Sequence, residues 1–131
     1  MTNLRIDDLD HLVLTVADIE TTRHFYEEVL GMVAFTFGGG RTALSFGNTK
    51  INLHQAGKEL SPHALHPVPG SADLCLVTRT PFAEVLLHLK RHRVTVVEGP
   101  VPREGATGPM LSVYVRDPDG NLIEIASYNE A

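Results

Sequence analysis

Four polar side chains interrupt apolar, strand-like runs in this chain: His11, Asn52, Asp73 and Glu124. An imidazole and two carboxylates brought together suit a divalent metal with open coordination positions, where the ion acts as a Lewis acid. His54 alternates with Asn52 and so shares its strand face, adding a base whose ordinary pKa lies near neutrality. Glu124 stands between Ile123 and Ile125, and a carboxylate there is costly unless it is paired or metal-bound. The competing account is a wet sheet face, on which Glu124, Asp73 and His54 need no special task. The remaining histidines, at 24, 63, 66, 88 and 92, fall on helical patterns or in a Pro-rich stretch and read as surface residues. Cys75 alternates with Asp73, and a lone cysteine is more often packing than nucleophile.

The elements that must hold these residues follow from periodicity. His11 to Val16 reads as a strand, Asp18 as a helix N-cap, and Gly31 as the stop after an apolar face made by Ile19, Phe25, Tyr26 and Val29. Strands follow over 32–37, 41–46 and 49–55, separated by glycine turns. A Pro/His/Gly-rich stretch then reads as a linker, after which the order begins again. Asp73 to Thr78 predicts a strand, Thr80 a cap, and Pro81 the first residue of a helix. A short strand is expected near 94–97, a loop over 98–109, and two strands, 111–116 and 122–127, joined by the turn Asp117-Pro118-Asp119-Gly120-Asn121. The first strands align His11 with Asp73, and the last strands align Asn52 with Glu124. This is an internal repeat of strand, helix and three strands. Alternation puts His11, Asn52 and His54 on the non-helical face of one half, and Asp73, Glu124 and Cys75 on that of the other.

Composition narrows the function. The chain has 131 residues, a net charge of −5 and 43% hydrophobic content, an ordinary globular mixture. Acidity without a Lys/Arg stripe argues against a nucleic-acid partner, and no apolar run approaches the roughly 20 residues needed to span a bilayer. The polar start of the chain does not read as a leader, and one cysteine supports no disulfide framework, so a cytoplasmic location is expected. Small-molecule chemistry is what remains.

These residues resemble the vicinal oxygen chelate superfamily, which includes glyoxalase I, extradiol dioxygenases, fosfomycin-resistance enzymes and bleomycin-binding proteins. The resemblance rests on the run from Asp10 to Asp18, on Phe25-Tyr26 through Leu30-Gly31, and on Asp117 through Glu124. Within the family, the stretches Asn52 to Gly57 and Pro69 to Leu74 are similar to small glyoxalase-domain and virulence-associated proteins. The resemblance implies an α+β fold of two βαβββ modules, a curled mixed sheet around a metal and substrate cleft, commonly in a dimer. The single domain over 1–131 then divides into module one at about 9–56, a linker at 57–70 and module two at about 71–128. His11 and Glu124 match metal ligands. Asp73 falls where the family usually has a second His, and Asn52 where metal-binding glyoxalase I has a Glu.

The implied activity is proton-transfer lyase or isomerase chemistry on a small substrate held through adjacent oxygens at a divalent ion (Ni, Mn, Zn or Fe). His11, Asp73 and Glu124 are the expected ligands, with Glu124 or His54 moving the proton. Asn52, Arg103 and Tyr114 line the substrate site, Arg103 as a clamp for an anionic tail. Two alternatives stay open: an extradiol-type dioxygenase, and a non-enzymatic protein that sequesters a small molecule. Two modules of about 60 residues are each marginal alone, so a homodimer is expected.

Overall fold

The computed structural model describes residues 3–129. Module one runs β1 (His11–Val16), α1 (Ile19–Glu28), β2 (Val33–Phe37), β3 (Arg41–Phe46) and β4 (Thr49–Gln55). Module two repeats it as β5 (Asp73–Val77), α2 (Phe82–Arg91), β6 (Glu98–Gly105), β7 (Gly108–Arg116) and β8 (Leu122–Ser127). Each module forms its own four-stranded mixed sheet, ordered β1-β4-β3-β2 and β5-β8-β7-β6. The registers repeat as well. Leu12 pairs with Ile51 in one parallel ladder, and Leu74 with Ile123 in the other.

One core joins the modules. Leu14, Val16, Leu44 and Ile51 from the first sheet share a buried cluster with Val113, Val115, Ile123 and Ile125 from the second. Tyr26 on α1 and Phe82, Val85 and Leu89 on α2 fill the space between. The faces bearing His11, Asn52, Asp73 and Glu124 therefore lie on the far side of each sheet from this core.

Asp18 caps α1 as its sequence position predicts, its carboxylate accepting from the Thr21 amide at 2.9 Å. Gly31, at φ +69°, takes the left-handed conformation that ends the helix region. Two sequence readings need correction. Thr80 does not cap α2: Pro81 is the N-cap, extended at ψ 135°, and it makes no side-chain cap hydrogen bond. The sixth strand is not 94–97 but Glu98–Gly105, the segment read as a loop because of Gly99, Pro100 and Pro102. The ladder tolerates those prolines because β6 is an edge strand, paired among the described residues with β7 alone, with an irregularity between Glu98 and Val101. Gly99 sits at that irregularity with φ +110°, and a Cβ there would lie 2.6 Å from the Ser112 carbonyl oxygen.

The turn between β7 and β8 also binds module two to module one. Asp117, 5% exposed, accepts from the Tyr26 hydroxyl at 2.7 Å and the Asn121 side-chain amide at 2.8 Å. Its other oxygen accepts from the backbone amides of Asp119 and Asn121 at 2.9 and 3.0 Å. Asn121 Oδ1 accepts from the Ala72 amide at 2.8 Å, just before β5, and Asp119 accepts from the Ala17 amide at 3.2 Å, just after β1. Burial, then the charge of Asp117, drives the Tyr26 phenol far above its ordinary pKa, so it stays a donor.

Candidate functional site

Module two presents an open groove of about 390 Å³ lined by Asp73, Glu98, Arg103, Tyr114 and Glu124, among others. Its floor follows from strand register: Glu124 on β8 lies between Cys75 on β5 and Tyr114 on β7, all facing the same way. The fully buried Ser112 donates its hydroxyl to Glu124 Oε2 at 2.6 Å. Cys75 is a second donor to Glu124. Burial, then the neighbouring carboxylate, raises its thiol to about 11. Cys75 is thus a protonated thiol that helps orient Glu124, a role the sequence did not indicate beyond its alternation with Asp73. Asp73 is exposed one alternation before Cys75.

Arg103 and Tyr114 form a strap across this groove. Arg103 Nε donates to the Tyr114 hydroxyl oxygen at 2.9 Å, and one terminal nitrogen pairs with Glu98 at 2.8 Å. With its oxygen already accepting, the Tyr114 hydroxyl has its own proton free to donate into the groove. Arg103 therefore has its charge matched by Glu98.

Module one presents a different surface. His11, Asn52 and His54 share its open face through the pairing of His11 with Lys50, Val13 with Asn52 and Thr15 with His54. His11 is exposed, with Nδ1 2.7 Å from the Asp10 carboxylate, which leaves Nε2 as the free ring nitrogen. Asn52 and His54 are 3% and 7% exposed, and Asn52 Oδ1 and His54 Nδ1 are buried without a hydrogen-bond partner among the described residues. Burial foremost, then the charge of Arg41, lowers the His54 pKa and keeps its imidazole neutral at pH 7. His63 and His66 are exposed, in keeping with the surface reading, and with His54 and Thr15 they line a cavity of about 450 Å³ beside the linker.

The sequence-predicted site residues thus form two half-sites. Asp73, Glu124, Tyr114 and Arg103 line the groove of module two; His11, Asn52 and His54 lie on module one. Among the described residues, no three His, Cys, Asp or Glu side chains gather as a metal-holding group. The donors suit a divalent ion by type, one imidazole and two carboxylates, but a single chain does not bring all three together.

This repeated fold, with its polar positions in equivalent registers, defines a class. The sequence profile of the Glyoxalase/Bleomycin resistance protein/Dioxygenase superfamily matches residues 8–125, and the chain belongs to that superfamily. It is 58% identical over 123 residues to virulence protein STM3117 of Salmonella typhimurium, covering 94% of this chain and 85% of that protein. It is 56% identical over 128 residues to the glyoxalase domain-containing protein RDO1 of Mycosarcoma maydis, covering 98% of this chain and 72% of that protein. Among solved structures, it superposes on an integron cassette protein from the mobile metagenome of V. cholerae with a TM-score of 0.95. That match has 56% identity and covers 97% of this chain and 99% of the other.

Proposed function

We propose that the protein is a divalent-metal-dependent, glyoxalase-type lyase or isomerase whose site forms between two copies of the chain. In this arrangement the module-one face of one copy opposes the module-two groove of the other, bringing His11 toward Asp73 and Glu124. The observation that carries the reading is Glu124 itself: a carboxylate in an apolar strand, oriented by Ser112 and Cys75, open to a groove that also holds Asp73. Ligating carboxylates are commonly fixed by such outer hydrogen bonds. Exposed apolar residues favour a second copy as partner. Leu4, Ile6 and Leu9 are 89%, 76% and 65% exposed in the segment before β1, and Val33 on β2 is 65% exposed.

A divalent ion bound by His11, Asp73 and Glu124 would supply Lewis acidity to two adjacent substrate oxygens. The chain's own residues do the rest. Neutral His54 accepts a proton from the carbon beside the carbonyl and returns it to the neighbouring carbon. Asn52 offers its unpaired carbonyl oxygen to a substrate hydroxyl. Tyr114, held by Arg103, donates to oxygen from the opposite wall.

The test is proton exchange, because it reads the bond that breaks without requiring a known product. Metal-loaded protein is incubated in D₂O with a panel of 2-oxoaldehydes, their thiol adducts and 2-hydroxy ketones, and followed by proton NMR. The proposal expects enzyme-dependent deuterium uptake at the carbon beside the carbonyl for at least one compound, with the loss of His54 (His54→Gln) reducing it at least about 100-fold. Tight binding without exchange across the panel would instead favour sequestration.

A further inference from the structure

We propose that Arg41 and Lys50 form an anion-recognition site on the open face of module one, taking the carboxylate, phosphonate or phosphate end of a small substrate. This names a substrate class for the site above and rests on that reading. The geometry starts from Phe37, at the end of β2 and paired in register with Arg41. The Arg41 guanidinium carbon lies 4.7 Å from the centre of the Phe37 ring, and the Lys50 ammonium nitrogen 4.0 Å from the same centre. Both side chains are half-buried.

Two cations held against one ring concentrate positive charge on this part of the face, which favours an incoming anion. An acidic chain, with 16 Asp and Glu against 11 Lys and Arg, could readily place a carboxylate between them. Among the described residues neither cation has an ion-pair partner, whereas Arg5, Arg23 and Arg103 all do. Glu59, whose charge reaches His54, is engaged by the backbone amide of Gly57 instead. A guanidinium and an ammonium without a carboxylate partner among the described residues can each donate charge-assisted hydrogen bonds to an anion from outside the chain.

The position also fits the proposed chemistry. Lys50 is the cross-strand neighbour of His11, and Arg41 is close enough to His54 to depress its pKa. An anion held here would place the rest of a small substrate beside the imidazole. Arg103, by contrast, is already neutralised by Glu98 and anchors an anion less well. The patch has two cations on a chain of net charge −5, which suits one small anion rather than a polyanion.

The experiment uses the full chain, freed of metal with EDTA, at low ionic strength. Inorganic phosphate is titrated in while backbone amide resonances are followed by NMR. Saturable shifts centred on Phe37, Arg41 and Lys50 are expected. Arg41→Gln and Lys50→Gln should each weaken the apparent affinity at least about tenfold, while Arg41→Lys and Lys50→Arg stay within about threefold. Unchanged thermal melting would show that the Gln variants remain folded. The inference is overturned by the absence of saturable shifts in the wild type, by unaltered affinity in both Gln variants, or by shifts centred on Arg103. Tighter binding of a single-stranded oligonucleotide at this face would also overturn it. Because no metal is present, loss of phosphate binding tests this site alone, and failure of metal binding with phosphate binding intact would count only against the enzyme reading.

Discussion

Replacing Glu124 with Gln is expected to weaken divalent-metal binding at least about 100-fold. Gln keeps the size and the ability to accept from Ser112 and Cys75, but loses the charge that a hard or borderline cation requires. Ser112→Ala removes the 2.6 Å bond that orients the carboxylate, and about a tenfold loss is expected. Asn52→Ala should leave metal affinity within about threefold, because that side chain faces substrate. Competition titrations with a chromophoric chelator measure all three. A stronger effect at Asn52 than at Glu124 would reverse the ligand assignment.

The second large effect concerns stability. Asp117→Ala is expected to destabilise the fold by about 3–5 kcal/mol, the range for removing one partner from a buried charged network. The Tyr26 hydroxyl, the Asn121 side-chain amide and two backbone amides would lose their acceptor at once. Asp117→Asn retains an acceptor for some of them, and its expected cost is about half as large. Urea unfolding curves read both values directly. A cost below about 1 kcal/mol for Asp117→Ala would mean that the two modules do not depend on this junction.

That junction shows where sequence reasoning stops. The run from Asp117 to Asn121 is legible as a turn because Pro, Gly and Asp each favour turn geometry. Its second task, accepting from Tyr26 across 91 positions of chain, leaves no local signature. The repeat and the faces are legible, since alternation assigns His11, Asn52, Asp73 and Glu124 from the sequence alone. The β6 strand is not, because an edge position can carry prolines that a central strand would reject. Lys50 alternates with Asn52 and could have been placed on the same face by parity. That no counter-charge pairs with it among the described residues is a fact of three-dimensional neighbours. Pairing between copies is equally invisible to periodicity, which describes each sheet but not what covers it.

The shared site is tested most directly by making heterodimers from two defective chains. His11→Ala and Glu124→Gln variants, carrying different affinity tags, are co-expressed and purified through both tags, and their tight metal content is measured. Each variant alone should hold almost none. In the mixed dimer, one site inherits both substitutions and the other neither, so about half of the wild-type capacity is expected to return. Metal binding that stays absent in the mixed dimer would contradict a site built from two copies.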